Sequence, residues 1–284
     1  MVLVRRATQM LLAVLVVALA LLPAQPAAAE ETPWTLIVAP QIWFANIPAQ
    51  VNTNTVGRST TFTPDRALYP QYGGTVALRT GPWAFAVGAL STDYGIIRDY
   101  SAAPGTCFTL GLTATCAGTV GQDRVETSRI DLDFAITYTW LDTIKDVLDV
   151  TLGVGVKWVH LDGAFQIVKP AGNVYTTGRT RETFDENIYG PTLPINLNFH
   201  LTKLLFLPIT VSPYIANDEY TSTFGTEVSD IAYGGTADIG FRYFFADTGV
   251  SVIAGYRGQV LTGGPLGMYG AHGPFFGVAI PFNF

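Results

Sequence analysis

The sequence predicts an all-β chain: an antiparallel transmembrane β-barrel of about ten strands. Three observations carry this. Apolar and polar residues alternate with period two through most of the chain, the spacing of strands with one apolar face. The segments between these strands alternate long and short without exception. Charged residues make up only 13 % of the chain, while aromatics reach 12 % and glycine is abundant at 29, a balance that suits strands facing lipid.

The first 29 residues read as a secretory signal peptide. Arg5 and Arg6 form a positive start, Met10 to Leu22 is almost wholly apolar, and Ala27-Ala28-Ala29 fits a small-residue cleavage site before Glu30. A membrane helix is the alternative, but the run is short and Pro23 and Pro26 would end it. Cleavage leaves residues 30–284 as a single barrel domain, with 14 basic against 22 acidic side chains. A net charge of −8 leaves no basic stripe and argues against nucleic acid as a partner.

Strand one covers residues 34–45, with Trp34, Leu36, Val38, Ile42 and Phe44 on one face and Thr35, Ala39 and Gln41 on the other. Strand two covers 67–80 and turns through Gly81-Pro82 into strand three, 83–94. A long segment then carries Cys107 and Cys116. In an exported chain two cysteines this close read as a disulfide, worth about 2.5 to 3 kcal/mol by loop entropy. A metal site would need further ligands, and no histidine lies near.

Strand four, 124–140, alternates most clearly: Ile130, Leu132, Phe134, Ile136, Tyr138 and Trp140 against Arg129, Asp131, Asp133, Ala135, Thr137 and Thr139. A soluble sheet with this pattern would need a covering layer, and no other segment reads as a helix able to supply one. Strand five covers 147–164. Strands six (186–201) and seven (206–216) carry Pro191, Pro194, Pro208 and Pro213, which leaves eight or twelve strands as alternatives and marks a bulge. Residues 217–230 read as an acidic loop. Strands eight (231–245) and nine (250–260) flank a short turn, and a Gly-rich loop leads to the last strand.

That strand, 273–284, sets Phe276, Val278, Ile280, Phe282 and Phe284 on one lipid-facing side, with Phe275 out of pattern. With its terminal Phe it resembles the last strand of bacterial outer-membrane β-barrel proteins. The resemblance covers signal, strand–loop pattern and ending, at the level of the class. It implies a Gram-negative cell outer membrane, lipid and lipopolysaccharide as surroundings, and insertion by the barrel-assembly machinery through the last strand. It also implies short periplasmic turns, outer loops and both termini in the periplasm. A monomer is expected. Two levels of aromatics are expected as girdles: Trp34, Trp83, Trp140, Phe245 and Phe284 at the inner level, Trp43, Tyr94 and Trp158 at the outer.

The inward positions expected to line the lumen are Gln41, Arg79, Arg129, Asp131, Asp133, Lys157, Asp238, Arg242 and Arg257. Counting from the turn after strand eight sets Asp238 opposite Arg257 as an ion pair; Asp131 opposes Lys157 in one allowed register. A charged constriction would select solutes; buried pairs would instead plug the lumen. Small barrels tend to be filled, yet Gly73, Ala77, Gly88, Ala135, Gly153, Gly155, Gly240, Gly255 and Gly277 face inward and leave room.

The leading function is a porin-like channel for passive passage of small solutes or ions. The alternative is a closed barrel presenting its loops for structure or adhesion. Ten-stranded outer-membrane proteases are similar in size and strand count, with catalytic Asp and His at the outer rim; here His160, Asp162 and His272 fall there, but no motif of that family is present. No enzyme activity, cofactor or metal is expected. Asp218, Glu219, Glu227 and Asp230 read as a hydrated acidic loop rather than a calcium site, whose ligands are spaced more tightly.

Overall fold

The computed structural model describes residues 34–47, 61–62, 67–101, 106–110, 113–117, 120–169, 181–223, 227–263 and 269–284. The signal-peptide segment lies outside them. Ten staves form the barrel: β1 (Trp34–Asn46), β2 (Leu68–Thr80), β3 (Trp83–Ser101), β4 (Val120–Ile144), β5 (Leu148–Lys169), β6 in two segments (Arg181–Thr192 and Ile195–His200), β7 (Leu205–Ser222), β8 (Glu227–Phe244), β9 (Ser251–Gly263) and β10 (Tyr269–Asn283). Each pairs antiparallel with its neighbours in sequence, and β10 returns to β1, with Val38 opposite Ile280. The sheet therefore has no open edge. The seam is tied by reciprocal backbone bonds between Trp34 and Phe284, at 3.2 and 3.1 Å.

The short turns and both described chain ends lie at one end of the barrel. Gly81 and Gly249 take φ of 53° and 67° there, a region open to glycine at little cost. Asp142 and Asp146 also have positive φ, and the Asp142 carboxylate accepts from the Asp146 amide at 3.4 Å. At the far end β3 and β4 run on, pairing as far as Ser101 opposite Val120. A separate hairpin, Thr106–Leu110 with Thr113–Ala117, sets the backbone of Cys107 opposite that of Cys116. Their side chains lie outside the described ones. Thr61–Phe62 adds a two-residue strand beside Tyr100 and Ser101.

Residues 217–230 are not a loop. Asp218 and Asp230 pair across β7 and β8, and the connection narrows to residues 223–226. The strands outrun the apolar alternation because ladder hydrogen bonds need no apolar face once a strand rises past lipid. β6 breaks at Leu193 and Pro194, where proline cannot donate to the ladder; Gly153 donates to the Pro194 carbonyl at 2.9 Å, so pairing resumes at once. Ten staves result despite the prolines.

The outward face is apolar over its middle, with Val76, Val87, Ile130, Leu152, Ile215, Ile239, Phe241, Phe276 and Phe282 exposed. Around the short-turn rim Trp34, Trp140, Phe245 and Phe284 are exposed, and Trp83 packs edge-on against Tyr138. The outer girdle is built differently from expectation. Trp43 and Tyr94 are 1 % and 7 % exposed, because their parity points them into the barrel. Trp158 does face outward, with exposed Tyr72 and Tyr233 toward the same end.

Candidate functional site

Inward positions alternate with outward ones along every stave, so the lumen is assembled from residues two apart on each strand. At the short-turn half, Arg79, Arg242, Gln41, Asp238 and Arg257 line a cavity of about 580 Å³. Asp238 and Arg257 are Cα partners, and Arg257 donates from Nε and Nη2 to the two carboxylate oxygens at 2.9 and 2.7 Å. The Arg257 guanidinium lies 5.5 Å from the Trp43 ring and 5.2 Å from Phe275. Phe275, out of pattern on the lipid face, is an inward anchor for this arginine.

A second cavity of about 200 Å³ continues inward and shares Gln41, Thr75, Asp238 and Arg257 with the first. Asp131, Asp133 and Lys157 line it. Lys157 pairs in register with Asp133, not Asp131, and donates to its oxygens at 3.0 and 3.1 Å; Asp131 stands 3.9 Å away. Three residues separate β4 from β5, and just before them the end of β4 carries a register shift between Trp140 and Ile144, which cannot be counted from sequence.

Above this level the lumen closes. Arg129 is 1 % exposed. It donates to Asp131 on its own strand and, from Nη2, across the barrel to Gln259 Oε1 on β9 at 2.6 Å. Tyr94 and Tyr214 stand near it, within an apolar cluster that also holds Leu90, Leu161, Phe184 and Tyr220. The glycines do less for the lumen than their number suggests. A Cβ on Gly73 would sit 1.9 Å from the Ala89 carbonyl oxygen, and one on Gly255 2.3 Å from that of Ile239. These positions serve close backbone approach between staves rather than open space.

Two further carboxyls face inward near the long-loop end. Glu186 on β6 and Asp218 on β7 are 2 % and 1 % exposed, and Asp230 lies opposite Asp218. Their outward neighbours are Asp185, Asn187, Asn217 and Glu219, so this level stands beyond the apolar band that ends at Tyr189 and Ile215. Burial, then the Asp218 charge, raises the Glu186 carboxyl well above the usual range. Burial likewise raises Asp218, to about 6. Sequence reasoning missed Glu186 and Gln259 and set Asp218 in a hydrated loop. Strand parity carried through the supposed loop would have found Asp218.

The histidines lie apart from this pair. His160 faces outward, stacks on Trp158 and meets Asn187 at 3.2 Å. His272 bonds Tyr256 at 2.5 Å, and His200 meets Asp149 at 2.9 Å near the short turns. Among the described residues no group of three or more His, Cys, Asp or Glu is arranged to hold a metal.

No family model and no curated protein matches the sequence. Solved structures do. The outer membrane protease OmpT from Escherichia coli aligns with 91 % of this chain and 99 % of its own at TM-score 0.50 and 9 % identity. A major outer membrane protein from Thermus thermophilus aligns at TM-score 0.37 and 12 % identity over 88 % and 99 %. The outer membrane protein OprG from Pseudomonas aeruginosa aligns at 0.34 and 8 % over 89 % and 98 %. At such identities a likeness speaks for fold alone, and the first of these carries it. A closed antiparallel ten-stave barrel with an apolar outer band is the fold of the bacterial outer-membrane β-barrel proteins, and this chain has it.

Proposed function

We propose that the protein sits in the outer membrane of a Gram-negative cell, short turns and chain ends in the periplasm, as a barrel closed at rest that presents its outer strands and loops. The observation that supports closure is the Arg129 bridge to Gln259, set in an apolar cluster across the lumen. The lumen charges Arg129, Asp131, Asp133, Lys157, Asp238 and Arg257 pair with one another rather than forming two separate ladders. Separated ladders would attract ions; compact pairs hold a wall together. The outer role is then structural or adhesive. A Cys107–Cys116 disulfide would stiffen the hairpin between β3 and β4. On this reading the protein is not an enzyme, forms a monomer and touches only lipid and lipopolysaccharide once the barrel-assembly machinery has inserted it.

The porin-like reading stays second, favoured by one observation: the two cavities share residues and run from the short-turn rim to Asp131. Planar-bilayer conductance of the refolded chain separates the two, with folding shown by heat-modifiable gel migration. A silent wild type and a conducting Arg129→Ala variant support closure at this layer. Steady wild-type conductance would sink it.

A further inference from the structure

We propose that the short-turn half of the lumen binds a small organic anion, an apolar body carrying carboxylate or phosphate. The cavity of about 580 Å³ lies within the range of small-molecule sites, about 300 to 1,000 Å³. Its charged lining is Arg79, Arg242, Arg257 and Asp238, three arginines against one acid. Asp238 is taken by Arg257 through both of its oxygens. Among the described residues no carboxylate lies within ion-pair distance of Arg79 or Arg242. Arg79 donates from Nε to the Gly81 carbonyl at 3.2 Å, which holds its stem at the rim.

The two arginines come from separated walls. Arg79 is on β2 and Arg242 on β8, with β9, β10 and β1 between them. A guanidinium half withdrawn from water gains most from an oxyanion that accepts two parallel N–H bonds. Two such groups suit a ligand with two anionic ends, or one end and a body against Phe244, Ile253 and Phe275. Thr210 and Ser251 add hydroxyls that can donate to it. The acids that would repel an anion, Asp131 and Asp133, line the inner cavity and are already held by Arg129 and Lys157. This goes beyond a closed barrel and does not depend on the outer layer staying shut.

The test is calorimetry on the refolded mature chain in a non-ionic detergent. Benzene-1,3-dicarboxylate and phenyl phosphate are the probes, and benzamide is the neutral control. The expected result is saturable one-to-one binding of at least one anionic probe and none of benzamide. The stronger probe tells which oxyanion the site prefers. Arg79→Gln and Arg242→Gln should each weaken it by tenfold or more, while Arg124→Gln, exposed at the far end, should change nothing. If Arg242→Gln does not fold, Arg242→Lys keeps the charge and loses the fork, and should still weaken binding severalfold. No saturable heat from a folded wild type overturns the proposal, as does unchanged affinity in the Arg79→Gln/Arg242→Gln double variant. Either failure leaves the closed-barrel reading intact, since conductance tests that separately.

Discussion

Asp238 and Arg257 stand directly opposite each other on β8 and β9 and share two hydrogen bonds, with the guanidinium held between Trp43 and Phe275. One pair thus joins four staves: β8 and β9 through the ion pair, β1 and β10 through the two rings. Removing one partner of this partly buried pair leaves the other charge without its counter-charge. Asp238→Ala or Arg257→Ala should each cost about 1.5 to 3 kcal/mol, the range for a charge-assisted hydrogen-bonded pair, and Asp238→Leu with Arg257→Met should recover most of it. Denaturant unfolding of the refolded barrel gives the double-mutant cycle; additive losses would show that the pair is not coupled.

Trp43 fills the lumen where Arg257 ends, and its indole N–H donates to the Gly273 carbonyl at 3.2 Å. Trp43→Ala should destabilise the barrel by about 3 to 5 kcal/mol, since closed walls collapse poorly around a cavity. Trp43→Phe keeps most of the volume and loses only the N–H. It should cost roughly 1 to 2 kcal/mol by the same unfolding measurement, through the carbonyl left unpaired.

Glu186 and Asp218 make stability depend on pH in a defined direction. Both carboxyls hold protons more tightly folded than unfolded, so the folded state binds more protons above their unfolded values, up to about pH 6 for Asp218 and well above the usual carboxyl range for Glu186. Their contribution is fully present below about pH 4 and falls as pH rises; the Asp218 part is lost above about pH 6, and the Glu186 part is lost as pH passes its raised value. The unfolding midpoint should therefore be higher at pH 5 than at pH 7.5. Glu186→Gln with Asp218→Asn should flatten this difference; an unchanged profile in that variant would assign it to other groups.

A bonded Cys107 and Cys116 should resist thiol reagents in the denatured mature chain until a reductant is added. Reduction should then cost at most about 3 kcal/mol, the loop-entropy value for so small a ring. Two thiols titrating without reductant would remove the bond.

The Trp34–Phe284 backbone bonds close the seam at the short-turn rim. Deleting Phe284 removes both and the last outward ring. Refolding yield, followed by heat-modifiable migration, should fall, while Phe284→Trp, which keeps a ring at the interface, should restore it. Equal yields for the deletion would mean that closure does not need this residue.

Much of this was legible in the chain itself. A strand has a period of two, so each residue's face followed from parity, and the tight turn after β8 set Asp238 against Arg257 by counting. Ten staves followed from counting the runs of period two, even through the prolines of β6 and β7. The expected alternation of long and short connections fails: the β7–β8 link has four residues and the β9–β10 link five, against six between β8 and β9, because paired strands run on into the expected loops. Where the period of two was set aside the reading failed: Trp43 and Tyr94 were placed by their height along the strand, while their parity turns them inward. Tertiary structure alone decided the rest. The register shift at the end of β4 gives Lys157 to Asp133, and closure of the sheet brings Arg129 to Gln259 across 130 residues. Parity says which way a side chain points. What it meets there depends on how far each stave is staggered against the next, and that sum is set only when the barrel closes on itself.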